Sequence, residues 1–262
     1  MSLSPKELVD EAIKRGKAKA EYSFLTTATL GIMAGVFIAL AGVAMIRTMG
    51  TMPAAWGTLT NLIGALMFPF GLICLLLVGG ELVTGNMFVV TMALYAKEIR
   101  FKQWLRNMVL VTIFNFVGAI AVAIFFGYYS KTLDGAFLDR TIAVAQGRTV
   151  DAPLQAFLSG IACNILVCTG VYMNMASKDF IGKIVGTFLP VAGFVIAGYQ
   201  HVVANMFLVM AGVLAGGVTW AEFASNLTFV WLGNLVGGGV ILAGFYFLAF
   251  KVGMRERARL VK

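Results

Sequence analysis

Two short polar stretches interrupt long apolar runs of this 262-residue chain. VGGELVTGNMFVV, residues 78–90, contains Glu81 and Thr84, and AGYQHVVANMFLV, residues 197–209, contains His201, the only histidine. Because the unperturbed pKa of histidine lies near neutrality, His201 is the side chain best suited to give or relay a proton. Glu81 lies beside glycines and is expected to accept hydrogen bonds from exposed N–H groups of a loop. Proton transfer is therefore the chemistry that these stretches could support.

The two stretches are copies of one another. Shifted by 119 residues they align without gaps and share 6 of 13 residues, and NFVG at 115–118 recurs as NLVG at 234–237 with the same offset. Gly79, Gly80 and Gly85 are predicted to bracket a break in the helix of the first copy. The chain therefore contains an internal repeat in which each copy carries a helix break.

The elements around these breaks are long enough to cross a membrane. Hydrophobic residues make up 60% of the chain, charged residues 12%, and the mean hydropathy is +0.90. The runs that contain no charged residue are 23–46, 48–80, 107–130, 152–177, 184–221 and 223–250. Each is longer than the roughly 20 residues that a helix needs to span a bilayer. We therefore expect an all-α membrane protein with six transmembrane helices.

The basic residues predict the orientation of these spans. Sixteen of the 20 Lys and Arg residues fall in the alternate segments that include both termini. Basic loops remain on the cytoplasmic side, so both termini are expected in the cytoplasm and the protein in the inner (plasma) membrane. Residues 1–22, which open with a capping box at Ser4 and Glu7, are expected to form an amphipathic cytoplasmic helix. Residues 23–250 are expected to form the transmembrane domain, and residues 251–262 a basic cytoplasmic tail.

This orientation also sets the relation between the two repeats. Residues 48–96 must cross the membrane an odd number of times but are too long for one uninterrupted helix, so one broken span fits best. Each repeat then has three spans, which places the two copies in opposite orientations. A 3+3 inverted repeat with discontinuous helices meeting near the midplane is typical of transport proteins. The net charge of +8 reflects the basic flanks and gives no reason to expect nucleic-acid binding.

Four segments resemble one family. LVGGELVTG at 77–85, GIACNILVC at 160–168, GYQHVVANM at 198–206 and GNLVGGG at 233–239 are similar to motifs of the formate/nitrite transporter family of formate, nitrite and hydrosulfide channels. The resemblance covers about residues 5–250. It implies an aquaporin-like protomer with its own pore, a homopentamer, and small anions as substrates, with formate as the commonest.

The resemblance also implies a set of pore residues. Thr84 and His201 match the central polar pair; Leu82 and Phe194 match apolar constrictions, with Leu72 and Val167 as further candidates; Asn164 and Asn234 match motif asparagines near the loops; and Arg148 matches an outer-vestibule basic residue. Glu81 and Gln200 complete the set as loop supports, and Gln200 stands where many members have Glu.

Desolvation determines what such a site could do. A small anion entering hydrocarbon meets a large cost unless charge is supplied or the ion is neutralised. We therefore predict that His201, assisted by Thr84, relays a proton to a weak-acid anion, which the positive ends of the half-helices attract beforehand. Neither a metal triad nor a nucleophile elbow or phosphate loop is recognisable, so an enzyme, a metal or a cofactor is not expected.

Two other functions remain open at the level of sequence. The protein could be a non-transporting membrane subunit that anchors a partner enzyme and has degenerate pores. It could also be an aquaporin-like channel for neutral solutes. Flux of anions, water and glycerol through the purified protein would discriminate among the three.

Overall fold

The computed structural model describes residues 2–253, so residues 254–262 of the predicted basic tail lie outside the described part. Within 2–253 the chain is helical and contains no strand, only an isolated bridge between Ser2 and Ser177. The α-helices are α1 (Pro5–Ala20), α2 (Phe24–Met49), α3 (Thr58–Met67), α4 (Pro69–Val78), α5 (Val83–Tyr95), α6 (Phe101–Ala121), α7 (Leu138–Thr149), α8 (Pro153–Ala176), α9 (Phe180–Ile196), α10 (Val202–Leu214), α11 (Trp220–Leu235) and α12 (Ala243–Phe247). Wider π-type turns at Val122–Tyr129, Val236–Leu242 and Leu248–Gly253 extend α6, α11 and α12.

Five helical stretches in the described chain are long and apolar enough to cross a membrane. They are Phe24–Met49, Thr58–Val78, Phe101–Tyr129, Pro153–Ala176 and Trp220–Gly253. The predicted span at 184–221 is divided instead between α9 and α10, of 17 and 13 residues. At about 1.5 Å per residue α10 reaches roughly two thirds of the hydrocarbon thickness, as does α5, which also has 13 residues.

Both predicted breaks occur, and each has a glycine of positive φ near its start. Gly79 directly follows α4 with φ of 111°, and Gly198 lies two residues after the end of α9 with φ of 77°, a region that residues other than glycine rarely adopt. Each extended segment ends at the residue that precedes a short helix, Leu82 before α5 and His201 before α10. The prediction that Gly85 borders the first break is wrong, because Gly85 lies inside the first turn of α5.

One asparagine holds each extended segment in place. Asn115 of α6 accepts the backbone N–H of Val83 at 2.9 Å and donates to the carbonyl oxygens of Glu81 and Gly31 at 2.7 and 2.8 Å. Asn234 of α11 repeats the pattern, accepting from Val202 at 2.9 Å and donating to Gln200 and Gly160 at 3.0 and 2.8 Å. Backbone groups released by each break are thus satisfied by a side chain instead of water.

Glycines on α2, α6, α8 and α11 allow these helices to approach closely. A Cβ added at Gly35 would lie 2.2 Å from the carbonyl oxygen of Asn115, and one at Gly237 would lie 2.3 Å from that of Ile161. Gly31 and Gly233 are in similarly tight contact, whereas the nearest atom to Gly244 is 4.0 Å away. Small-residue packing therefore places the two clamping asparagines beside the breaks.

The N-terminal helix packs on protein. The capping box at Ser4 and Glu7 is formed, and Val9 and Ala12 of the apolar face are fully buried. A Cβ at Gly16 would fall 1.9 Å from the carbonyl oxygen of Val89, so α1 lies directly against α5. In the other repeat α7 lies against α10 in the same way, where a Cβ at Gly212 would meet Ala145 at 2.1 Å.

Candidate pore site

The two breaks bring Thr84 and His201 together in the centre of the protein. Thr84 Oγ1 and His201 Nε2 are 2.8 Å apart, and the two residues are 0% and 2% exposed. The backbone N–H of Ala204 donates to His201 Nδ1 at 3.2 Å, so Nδ1 acts as an acceptor and carries no proton. In a neutral imidazole the proton therefore lies on Nε2, which donates to the Thr84 hydroxyl oxygen. The hydroxyl hydrogen of Thr84 remains available to another acceptor.

The positions of both residues follow from the helix starts. Thr84 is in the first turn of α5 and His201 is the N-cap of α10, so the N-termini of two half-helices approach the same point. The unsatisfied N–H groups at a helix N-terminus carry partial positive charge. Negative charge between Thr84 and His201 would therefore be stabilised before any side chain ionises.

Asn164 and Cys168 of α8 support the central pair from behind. Asn164 donates to the carbonyl oxygens of Thr84 at 3.2 Å and Asn234 at 2.7 Å, so it links the first break to the clamp of the second. The Cys168 thiol also donates to the Thr84 carbonyl, at 3.3 Å. The signal that could have identified this contact is its spacing of four residues from Asn164 on one helix face.

A cavity lies on each side of this centre. The first, named the α1 vestibule, has a volume of about 200 Å³ and is lined by residues that include Lys19, Leu72 and Leu82. The second, named the α7 vestibule, has a volume of about 280 Å³ and is lined by residues that include Arg140 and Arg148.

The apolar residues predicted at constrictions do not all lie in comparable places. Phe194 is 3% exposed, and its ring packs 5.9 Å from both Phe68 and His201. These three residues and Arg148 line a space of only about 10 Å³ between the α7 vestibule and the centre. Leu82 and Leu72 line the α1 vestibule and are almost fully buried. Val167 is buried in α8 and is not among the residues lining these three spaces.

Glu81 is part of a side-chain network beside the α1 vestibule. The Glu81 carboxylate pairs with Lys19 and accepts from Asn86 Nδ2 at 2.8 Å, in place of the predicted loop N–H groups. Asn86 also donates to Asn107 Oδ1 at 3.0 Å, and Asn107 donates to the Lys19 carbonyl at 3.1 Å. The ring of contacts joins α1, the first break, α5 and α6, so Glu81 supports the loop through side chains.

Gln200 is the centre of the matching network beside the α7 vestibule. Its Nε2 donates to the Arg148 carbonyl at 3.0 Å and to Asp151 Oδ2 at 2.5 Å, and its Oε1 accepts from Asn205 and Asn226 at 2.7 and 2.8 Å. Asn226 closes the ring with a 2.6 Å bond to the Arg148 carbonyl. The Oδ1 atom of buried Asn205 has no partner among the described residues, and Asn205 is one of the residues that line the narrow space beside His201.

Sequence reasoning missed Lys19 as a site residue. Glu81, Asn86 and Asn107 correspond to Gln200, Asn205 and Asn226 at the offset of 119, but Lys19 corresponds to Arg148 at 129. The clamping contacts to Gly31 and Gly160 share that offset of 129. An alignment of the two copies that allows ten extra residues between α2 and α4 of the first copy pairs Lys19 with Arg148.

The charges of the two vestibules differ. Arg148 Nη1 donates to the carbonyls of Gly198 and Tyr199 at 3.2 and 3.1 Å, and no carboxylate of the described residues lies within ion-pair distance of it. Lys19 is neutralised by Glu81, and Arg15 by Glu11 at 2.6 Å. In the α7 vestibule, by contrast, neither Arg140 nor Arg148 forms an ion pair among the described residues, so the two vestibules differ in their balance of charge. Residues 2–253 contain no group of three or more side chains suited to bind a metal.

Comparison with known proteins fits this geometry. The sequence profile described as formate/nitrite transporter matches residues 6–248. The chain belongs to the formate/nitrite transporter family. Among its relatives are an uncharacterized transporter of Bacillus subtilis, YrhG, 42% identical over 97% of this chain and 96% of the relative, and the formate channel BtFdhC of Bacillus thuringiensis, 39% identical over 94% and 95%.

Solved structures agree with the family membership. A pentameric formate channel with formate bound is 29% identical and covers 87% of this chain and 97% of its own, with a TM-score of 0.75. An ion channel of the same family has a TM-score of 0.85 over 93% of this chain and 98% of its own at 23% identity, which supports the fold alone. The family consists of transporters and channels, so this member is a membrane transport protein with several apolar helices.

Proposed function

We propose that this family member is a homopentameric formate channel in which each protomer carries the weak-acid anion together with a proton. The observation that carries the proposal is the 2.8 Å contact between Thr84 and His201, at the meeting point of two half-helix N-termini and between apolar residues. The formate channels among the relatives and solved structures support formate as the substrate and the pentamer as the assembly. Nitrite and hydrosulfide, also small anions of weak acids, are the further candidate substrates.

The proposed topology has six membrane crossings in a 3+3 inverted repeat. Supporting it are the matched glycine breaks and the matched asparagine clamps of α6 and α11. The excess of basic residues near the termini supports the proposal that both termini lie in the cytoplasm and that the membrane is the plasma membrane. The α1 vestibule then opens to the cytoplasm and the α7 vestibule to the outside.

The proposed pathway begins with electrostatic attraction. The anion enters the α7 vestibule at Arg148 and reaches the narrow space lined by Phe194 and His201, where the N–H dipoles of α5 and α10 attract it. Leu82 and Phe194 make a charged species costly there, because burying an unpaired charge in apolar surroundings is highly unfavourable. Neutralisation removes most of that cost, so the neutral acid passes the apolar residues far more readily than the anion.

A balanced proton relay uses both nitrogens of His201. A proton from vestibule water enters at Nδ1 when the Ala204 N–H bond opens, and the Nε2 proton goes to the carboxylate oxygen of formate. Formic acid leaves, and the imidazole retains the Nδ1 proton until exchange with water restores the resting tautomer. One anion and one proton therefore cross together. The Thr84 hydroxyl orients the Nε2 side and offers its own hydrogen to the anion.

Flux measurements on purified protein in liposomes test the proposal. Formate uptake should be accompanied by acidification of the lumen, whereas a strong-acid anion of similar size should give neither signal. Absence of flux for every anion would favour the membrane-anchor alternative, and permeation by water or glycerol alone would favour a neutral-solute channel. A parallel panel with nitrite and hydrosulfide would rank the three substrates.

A further inference from the structure

A large cavity of the described chain lies away from the pore site. It has a volume of about 520 Å³ and lies between the end of the helix Phe101–Tyr129, the start of α7 and the end of α10. We name it the lateral cavity. Its body is formed by small or apolar residues, which include Ala123, Gly127, Ala211 and Leu214. Thr84 and His201 do not line it, so the proposed relay does not account for it.

The internal repeat explains why this cavity exists. At the offset of 119, Gly127 corresponds to Tyr246 and Ala123 to Leu242. On α10, Ala211 and Leu214 correspond to Met92 and Tyr95 of α5 in the same way.

The larger residues at the equivalent positions are packed together. The rings of Tyr95 and Phe247 are 5.8 Å apart, and Tyr246 packs 5.2 Å from Tyr172. Tyr95 also donates to the Gly239 carbonyl at 3.0 Å. The lateral cavity is therefore the same place in the fold with its large side chains replaced by small ones. An unfilled apolar space of this size forfeits many dispersion contacts, which an apolar ligand could restore.

The mouth of the cavity has the composition of a membrane interface. Tyr128 and Tyr129 end the apolar helix and are 56% and 70% exposed, as in the aromatic belts at the level of lipid headgroups. Lys131 and Asp134 follow and also line the cavity. Neither forms an ion pair within the described chain, and Asp134 uses only Oδ1, to accept the N–H of Gly135 at 2.7 Å.

These two free charges are complementary to a headgroup that itself carries both signs. A turn holds them three residues apart, since the Lys131 N–H donates to Tyr128 at 3.1 Å and the Asp134 N–H donates to Lys131 at 3.3 Å. An ammonium group suits the open oxygen of Asp134, and a phosphate suits the Lys131 ammonium.

We infer that the lateral cavity binds a glycerophospholipid with a primary-amine headgroup. One acyl chain fills the space beside Ala123, Gly127 and Ala211, Lys131 binds the phosphate, and Asp134 binds the ammonium group. The inference does not depend on the proposed function, because it concerns a different part of the molecule. It assigns a lipid-binding site to one of two places that the repeat makes equivalent, and the other place is filled by aromatic side chains.

Lipid titration followed by native mass spectrometry of the full-length protein in detergent tests this site. Phosphatidylethanolamine, phosphatidylcholine and phosphatidylglycerol of equal chain length are compared on delipidated protein. The wild type should retain phosphatidylethanolamine best. Ala211→Met and Ala123→Leu, which copy Met92 and Leu242, should fill the cavity and abolish retention. Ala224→Met, on an exposed position of α11, is the matched control and should retain the lipid as the wild type does.

Variants at the mouth separate the two headgroup contacts without changing the core. In Lys131→Asn the asparagine tolerates the left-handed φ of 57° at this position. The affinity for every lipid with a phosphate headgroup should fall about fivefold. Asp134→Asn keeps an acceptor for the Gly135 N–H but should erase the preference for ethanolamine over choline. Equal lipid retention by the wild type and both cavity-filling variants would overturn the inference. So would dissociation of the oligomer in those variants with lipid binding unchanged, because the cavity would then be a subunit contact.

Discussion

His201 differs from an ordinary buried histidine because its two ring nitrogens have different partners and different roles. Nδ1 accepts the N–H of Ala204 at the start of α10, and Nε2 faces Thr84. A proton on Nδ1 would oppose the Ala204 N–H and would place a cation at the positive end of α10. The geometry therefore favours the neutral ring at rest, and an imidazolium would be short-lived. This is the behaviour that a relay needs, because the proton must be passed on and not stored.

Replacing His201 with Asn tests the relay. Asparagine is a favourable N-cap, so His201→Asn should preserve the start of α10 and a polar group near Thr84 while removing the titrating ring. We expect the pH-linked component of formate flux to be lost, while binding at the vestibules survives. The measurement is uptake into liposomes that contain a pH dye, with formate compared with a strong-acid anion of similar size. Identical pH-dependent proton and formate flux in the two proteins would leave His201 as a structural clamp.

The apolar residues on the two sides of the centre should control size discrimination. Phe194→Ile and Leu82→Val shorten side chains that line the narrow space and the α1 vestibule, respectively. Each should raise flux and weaken discrimination against larger anions, because more room is left for a hydrated ion. Initial uptake rates for formate, acetate and lactate provide the measurement. Val167→Ala is the matched control, since Val167 lines neither space, and unchanged flux and selectivity in both test variants would remove them from the pore.

Each extended segment at a break is held by the side chain of one asparagine, so the stability of that segment depends on a single residue. Asn234→Ala would leave the N–H of Val202 and the carbonyl of Gln200 unpaired in a buried place, at a cost of about 1–3 kcal/mol for each unsatisfied group. We expect a lower unfolding temperature in detergent and reduced flux. Asn115→Ala should have a similar effect because it is the repeat-equivalent clamp. Asn61→Ala, at an exposed position, is the control, and equal unfolding temperatures for all three would contradict the clamp assignment.

The first turn of α1 should depend on pH through its capping box. Glu7 accepts from the Ser4 hydroxyl at 2.6 Å and from the Ser4 N–H at 2.8 Å, and these bonds lower the Glu7 pKa below its ordinary value of 4.5. A lowered carboxyl pKa in the folded state means that the stabilisation is present above pH 4.5 and is lost as the pH falls through the lowered value. Amide exchange protection at the start of α1, corrected for intrinsic rates, should therefore decrease in acid.

The matched control for this element is Glu7→Gln. Glutamine can also close a capping box but does not titrate in this range. Protection at the start of α1 should then be the same above and below pH 4.5. A parallel decrease in the wild type and the Gln variant would assign the acid effect to another group.

The elements of the fold were predictable to different degrees. Both breaks were predictable because glycine and polar residues in an apolar run are costly unless buried in protein. The position of α1 was less predictable, because amphipathicity alone does not distinguish a helix that lies on lipid from one that packs on α5. The Lys19–Glu81 pair was missed because Lys19 corresponds to Arg148 at an offset of 129 residues, whereas Glu81 corresponds to Gln200 at an offset of 119. Phe194 and His201 could be named from sequence, but the narrowness of the space between them depends on Phe68 and Arg148, which other elements contribute.

At the scale of the whole molecule, the repeat provides the same frame twice and the side chains make the halves differ. Glu81 pairs with Lys19 in one vestibule, whereas the corresponding Gln200 is neutral and Arg148 forms no ion pair within the described chain. The lateral cavity is the second such difference, with Gly127 in place of a tyrosine. Composition predicts the membrane class but not these asymmetries, because they depend on which small differences between the copies meet in space.

Arg148 provides a test of the field that this asymmetry creates. If Arg148 concentrates anions in the α7 vestibule, Arg148→Glu should slow formate uptake most at low salt, and the difference from the wild type should shrink as ionic strength rises. The reason is that the screening length falls from about 30 Å at 0.01 M to about 3 Å at 1 M. Initial rates across that range, at fixed formate concentration, give the measurement.

The competing explanation is structural, because Arg148 also donates to the carbonyls of Gly198 and Tyr199 beside the second break. Two control variants separate these roles. Arg148→Lys keeps the charge but loses the planar donor, so an electrostatic role predicts nearly normal uptake at every salt concentration. Arg148→Gln keeps an amide donor without the charge, so it should fall between the wild type and Arg148→Glu at low salt. A loss of uptake that is equal in all three variants and independent of salt would mean that Arg148 supports the loop and does not attract the anion.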